Sequence, residues 1–161
     1  MFKAITNSEL REKIVEFALK QHYKAYKHGS HGPDTFDCAG FVWYVYKEIM
    51  NIDIYKDGYG ESTTTKIMTS SYGSISVFNF NKLEESIRLL NKGDIVLIHR
   101  QDSLEIEPKI DNKYPGHCGI YIGNKKIIHA TTVFGHVAIN RLNETNCWTK
   151  KLIASKNVIK D

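Results

Sequence analysis

The chain has 161 residues and a formal net charge of +4, with 25% of its residues charged. That length fits one ordinary domain with a hydrophobic core of its own, and the charge is too mild for a nucleic-acid binder. Three cysteines, Cys38, Cys118 and Cys147, with no C-x-x-C pair exclude a disulfide framework and a structural zinc pattern, and fit synthesis in a reducing compartment.

The first elements are helical. Residues 1–20 are interrupted by Glu9, Arg11, Glu12 and Lys13, so they offer no signal peptide and no span for stable membrane insertion. "TNSE" reads as a capping box with Thr6 as N-cap and Glu9 three residues on. Leu10, Ile14, Phe17, Ala18 and Gln21 follow at helical spacing and predict a helix over residues 8–24. Residues 28–37 are loop by composition. From Cys38, the residues Phe41, Val42, Val45 and Ile49 make one apolar stripe, with Asp37 as a natural N-cap. The β-branched and aromatic content there would also suit a strand.

Residues 51–80 read as irregular, with a short helix near 63–70. Asn81 and Glu84 are expected to cap a helix carrying Leu83, Ile87 and Leu90, stopped by Gly93. The period then changes to that of strands at 94–99, 117–123, 125–130, 136–141 and 150–155. Helices first and strands later predict an α+β fold with an antiparallel sheet of about five strands, in a single domain, 1–161. The connection 100–116, with Pro108 and Pro115, is expected to be a surface loop.

The chemistry centres on Cys38. A cysteine in the first turn of a helix meets open N–H groups and a partial positive charge, which favour thiolate. Taken alone, the stretch favours a small buried hydrophobe, since free cysteine is often buried. Two histidines shift that balance. His117 opens one strand and His129 lies on the next, so a hairpin can set them side by side, with His117 as base and His129 orienting it. Direct opposition requires a three-residue loop, Ile122 to Asn124, or a bulge, since a two-residue turn puts them on opposite faces. By ligand type the same three residues also suit zinc, but a fourth ligand is missing, and no metal is expected. By strand alternation Cys118 points away from His117 and reads as core. Cys147 beside Trp148 reads as packing. His99 reads as structural, and His22, His28, His31 and His136 as solvated.

The segments "FDCAGFV", "KGDIVLI" and "HCGIYIGNKKIIHA", in this order, resemble the NlpC/P60 cysteine peptidase family. Its pattern is Asp-Cys-Ser-Gly-Phe/Leu-Val, then a Pro-Gly-Asp strand start, then a His-Val-Gly-Ile-Tyr-Ile-Gly hairpin ending in Ile-His-Ala. Upstream, Tyr26 stands at the family's distance from the cysteine. The resemblance covers roughly residues 10–155. It implies a papain-like core with the catalytic helix packed on the sheet, Cys38 as nucleophile, His117 as general base and His129 as the third residue. Tyr26 would line the site, and the Cys38 N–H would face the oxyanion. The implied substrate is the peptide stem of bacterial peptidoglycan, cut at the D-γ-glutamyl–diamino acid bond, with no cofactor.

Members that need a free N-terminal amine hold it with the residues flanking the cysteine. Here these are Asp37 and Ala39, the latter replacing a serine, which puts that preference in question. His28-Gly29-Ser30 stands where Trp-Gly-Gly is usual. Extra length at 71–90 and 100–116 is expected to wall the cleft. Two other readings stay open. One is an N-acetylmuramoyl-L-alanine amidase, or another thiol-dependent amidase or acyl transferase, on the same fold. The other is a non-catalytic wall-binding module. The expected protein is a monomer, made in the cytoplasm and acting on the cell wall after release or delivery by phage or secretion machinery.

Overall fold

The computed structural model describes residues 3–100, 108–143 and 147–160, apart from the Cys147 side chain. The expectations for that side chain and for residues 101–107 fall outside the described part. The capping box forms: Thr6 Oγ1 accepts from the Glu9 N–H at 3.1 Å, and the Glu9 carboxylate accepts from the Thr6 N–H at 2.8 Å. It opens α1, Asn7–Leu19, which buries Ile14, Val15 and Ala18. The helix stops at Leu19 rather than at 24. The Gln21 amide donates to Phe17 O, and Tyr23 takes a φ of 72°, which no α-helix continues. The Tyr23 N–H then bonds Val137 O and leads into β1, Ala25–Tyr26, with β2, Thr35–Phe36, parallel beside it.

Asp37 caps α2, Cys38–Met50, its carboxylate accepting from the Gly40 N–H at 2.6 Å. Phe41, Val42 and Val45 are fully buried, so this segment is helix and not strand. Gly40 is required by a close approach: a Cβ there would stand 2.1 Å from Ser30 O. The same Ser30 carbonyl accepts from the Asp37 N–H at 2.7 Å, which presses the start of α2 onto the preceding loop. Ser62 caps α3, Thr63–Thr69, where a short helix is expected. Asn79 opens a 3-10 turn, Phe80–Lys82, ahead of α4, Leu83–Arg88. Asn81 therefore sits inside that turn and caps nothing.

The five expected strands appear as β4, Ile95–His99, β5, Pro115–Gly123, β6, Lys126–Thr131, β7, His136–Arg141, and β8, Leu152–Asn157. A further strand, β3, Ser74–Val77, pairs with β8, and α5, Cys147–Lys150, precedes β8. Among the described residues the sheet has eight strands in the order β2-β1-β7-β6-β5-β4-β8-β3, antiparallel except for β1 with β2. The count exceeds about five because two-residue strands and a wholly exposed edge strand carry no alternation of burial to read. Pro115 and Gly116 belong to β5, so the end of 100–116 is strand and not loop.

Both faces of the sheet are covered. On one face α1, α2 and α3 pack through Ile14, Phe41, Val45 and Ile67 against Cys118, Ile120, Ile128 and Ala130. On the other, Ile87 and Leu90 meet Val96, Ile98, Tyr121, Ile127 and Leu152. Among the described residues no helix is long and apolar enough to cross a membrane.

Candidate active site

Cys38 is the first residue of α2 and only 8% exposed. Its N–H precedes the first helical hydrogen bond, so no turn of the helix can accept it. Thr64 Oγ1, from the first turn of α3, lies 3.7 Å from the Cys38 sulfur and 3.8 Å from that of Cys118. Hydrogen bonds with Cys118 above all, then with His117 and Thr64, hold the Cys38 thiol well below its ordinary range in spite of burial. The same contact, with burial, pushes Cys118 well above it. Cys118 therefore keeps its proton and offers it to the Cys38 sulfur as a hydrogen-bond donor. Cys118 is core, as expected, but it also touches the candidate nucleophile.

Asp37 does not freely oppose ionisation of Cys38. Its carboxylate accepts from the Gly40 N–H and from the Gly29 N–H at 3.1 Å, so its charge is spent on the backbone. Burial nonetheless raises its pKa.

The histidines are set by the β5–β6 hairpin. Ile120 pairs with Ile128 and Tyr121 with Ile127, then Gly123 with Lys126, so Ile122 is a bulge. The turn itself is two residues, Asn124 and Lys125, with φ of 52° and 57°, as a type I′ turn requires. The bulge restores a shared face, but the two histidines lie diagonally and not directly opposite. His129 faces Gly119, where an added Cβ would stand 2.9 Å from the His129 Cβ. Glycine there lets the His129 ring lean toward His117. His117 Nε2 lies 2.7 Å from His129 Nδ1, and His129 Nε2 lies 2.7 Å from Asn140 Oδ1 on β7. Burial first, then the neighbouring His117, hold His129 down to about 3, so it is neutral at any ordinary pH.

Cys118 and His117 are neighbours on one strand and point to opposite faces. The Cys38 sulfur nevertheless interacts with both. Among the described residues no three His, Cys, Asp or Glu side chains are grouped to hold a metal ion.

Two cavities flank the pair. One of about 280 Å³ opens on His117 and is lined by Tyr26, His99, Arg100, Trp148 and Lys151 among others. The other, of about 300 Å³, opens on Cys38 between Asp37, Glu61 and Thr64. Tyr26 and Arg100 border both. Burial raises the Tyr26 pKa, while a hydrogen bond with Arg100 acts against the rise. His99 lines the first cavity and accepts at Nδ1 from the Tyr114 N–H at 3.2 Å. Ala39 is fully buried in the core and lines neither cavity, so the structure does not bring it to the cleft. The segment 71–90 lies with β3 at the sheet edge farthest from β1 and lines neither cavity, so it does not wall the cleft.

Thr64, Asn140 and Trp148 are absent from the sequence reading of the site. The Trp148 ring stands edge-on to His129 at 4.5 Å and tilted at 5.6 Å from His117, roofing both. Only Asn140 leaves a trace in the sequence, as a polar residue in register with His136 and Ala138 on one face of β7. A thiol, an imidazole and a second imidazole in contact form a set that can attack a carbonyl and move one proton.

Residues 23–157 match the NlpC/P60 family model. The gamma-DL-glutamyl hydrolase of Bacillus subtilis is 31% identical over 134 residues, which cover 83% of this chain and 25% of that protein. The murein DD-endopeptidase MepH of Escherichia coli is 25% identical over 142 residues, 88% of this chain and 43% of that one. The chain thus spans less than half the length of either relative. The crystal structure of the NlpC/p60 domain of the peptidoglycan hydrolase SagA shares the fold with a TM-score of 0.60 at 21% identity, over 91% of this chain and 97% of that one.

Proposed function

The chain belongs to the NlpC/P60 family, and from that premise we propose that it is a cysteine peptidase that hydrolyses amide bonds in the peptide stem of bacterial peptidoglycan. The observation that carries this reading is the continuous contact from Cys38 through His117 to His129. Cys38 Sγ attacks the scissile carbonyl carbon, and its proton goes to His117. The ring nitrogen used is Nδ1, because Nε2 is engaged with His129. The developing oxyanion faces the Cys38 N–H at the start of α2, where the helix dipole favours negative charge. His117 then protonates the leaving amine, and the acyl group stays on sulfur. Water, deprotonated by His117, cleaves that thioester and restores the thiol.

The proposed bond is that between D-γ-glutamate and the diamino acid. Arg100 and Lys151 beside His117 favour a stem that carries free carboxylates. The enzyme would meet this substrate in the cell wall, after release or delivery.

Incubation with defined muropeptides of both major stem chemistries, with and without a free N-terminal amine, tests the reading by mass spectrometry. The expected products are a cut stem and a new amino group, both lost with Cys38→Ala. A bare sugar with an intact stem would make the protein an amidase instead. No cut in any stem at any pH would sink the hydrolase reading.

A further inference from the structure

His117, His129 and Asn140 form a diagonal row across β5, β6 and β7, on the sheet face away from α2. His129 pairs with Ala138, so Asn140 stands two residues beyond, as His117 stands two residues beyond Gly119 on the other side. The small residues Gly119 and Ala138 directly opposite His129 leave its ring free to bond diagonally on both sides. His129 is fully buried, and both of its ring nitrogens are engaged.

A neutral imidazole carries one N–H, so the two bonds of His129 cannot both be donated. If Asn140 presents its oxygen, Nε2 of His129 holds the proton and Nδ1 is a bare acceptor. His117 must then donate through Nε2, which leaves His117 Nδ1 bare and able to take the Cys38 proton. Once it has, His117 carries both protons, and His129 Nδ1 still accepts one of them. The opposite tautomer of His129 would donate to His117 Nε2, move the His117 proton to Nδ1, and block that transfer.

We propose that Asn140 is a positioning residue whose carboxamide oxygen fixes the His129 tautomer, so that His117 Nδ1 is the nitrogen that receives the Cys38 proton. The inference rests on the Cys38–His117 assignment above and adds a fourth, non-titrating member at the far end of the row. Because that member stays uncharged, the row acts by orientation alone and gives the same tautomer across the working pH range.

The test reads the tautomer and the thiol separately from any wall substrate. Nitrogen-15 spectra of histidine-labelled wild-type protein are expected to show His129 protonated at Nε2. Asn140→Ala is expected to lose that single tautomer. Its rate of iodoacetamide alkylation at Cys38 near neutral pH should fall, and its turnover number drop about 10- to 100-fold, with little change in KM. Asn140→Asp, which keeps an accepting oxygen, should recover most of the loss. A wild-type spectrum with His129 protonated at Nδ1 would overturn the proposal. So would a folded Asn140→Ala protein that alkylates like wild type, or failure of Asn140→Asp to recover either readout. If no stem is cut by the wild type, the proposed hydrolase fails, while the spectra and the alkylation rates still decide the role of Asn140.

Discussion

Arg11 and Asp94 meet at 3.2 Å where α1 crosses the start of β4, whereas His117 and His129 meet at 2.7 Å across β5 and β6. Both are buried polar contacts on one sheet, and they are made of opposite materials. Arg11 also donates to Lys92 O at 3.0 Å, to Asn157 Oδ1 at 3.3 Å and to Ile159 O, while Asp94 accepts from the Asn91 N–H at 2.9 Å. A guanidinium keeps its charge at every working pH, so this network ties α1 to β4 and β8 without titrating. The histidine row carries no fixed charge, and its direction depends on where protons sit. A permanent charge suits a scaffold that must not change. Neutral groups with a definite tautomer suit a place where one proton must move and return.

The sharpest way to break this comparison is to disable each network in turn. Cys38→Ala should reduce the proposed stem hydrolysis by at least about 10³-fold while leaving the thermal midpoint nearly unmoved. Asp94→Ala should do the reverse, because it leaves the Arg11 charge buried without its carboxylate. The expected cost is about 3–5 kcal/mol of stability, measured by denaturant titration, with turnover per folded molecule unchanged. If Asp94→Ala slowed the folded enzyme, the two networks would be coupled and the division between them false.

Gly119→Ala probes the joint between scaffold and site. The added methyl would meet the His129 Cβ and Ile128 O, each at 2.9 Å. Overpacking of this kind costs about 1–3 kcal/mol, and here it also pushes His129 off its diagonal. Turnover should fall about tenfold or more, with a smaller loss of stability than Asp94→Ala. Full activity in this variant would mean that His129 tolerates displacement, against its proposed orienting role.

A smaller effect is expected at Cys118. Its thiol is the leading cause that lowers Cys38. Cys118→Ala should move the alkylation-rate profile of Cys38 to higher pH, while Cys118→Ser, which keeps a donor, should move it less. An unchanged profile would assign the thiolate to His117 and the helix start alone.

What was legible in the sequence follows the range of the interactions. The Thr6–Glu9 box, the Asp37 cap and the five apolar strands are local patterns, and each appears where its residues predict. β1 and β3 are illegible because partners far along the chain, β7 and β8, hold them in the sheet, and β2 because its two residues beside β1 carry no alternation to read. The motif residues Cys38, His117 and His129 announce themselves by order and spacing, and the fold brings them together. The residues around them do so barely or not at all. Thr64 arrives on α3, Asn140 on β7 and Trp148 on α5, each carried there by tertiary packing. Cys118 shows the limit of alternation: it correctly predicts a core side chain, yet Cys38 interacts both with that side chain and with His117.

Lys156 offers the finest test, because it is a buried cation that, unlike Arg11, can lose its charge. Only 1% exposed, its ammonium donates to Ile67 O at 2.6 Å, Met68 O at 3.2 Å, Ser70 O at 2.8 Å and Ser70 Oγ at 3.0 Å, closing the C-terminal end of α3. Burial lowers its pKa to about 8 from an ordinary value of 10.5. Between those values the unfolded chain holds the proton and the folded one has released it, so stability rises with pH across that window. Below about pH 8 both states are protonated, and the full cost of burying the charge is present. Lys156→Met abolishes the titration and leaves the α3 carbonyls without their donor, a loss of about 1–3 kcal/mol. The gap in stability between wild type and Lys156→Met should therefore widen from pH 7 to pH 10. The Asp94→Ala gap should stay flat over the same range, since guanidinium and carboxylate groups as a class keep their charge there. A Lys156 gap equally flat would mean that the four oxygens hold its proton as firmly as water does. Lys156 would then belong with Arg11, among the groups that brace the sheet without responding to pH.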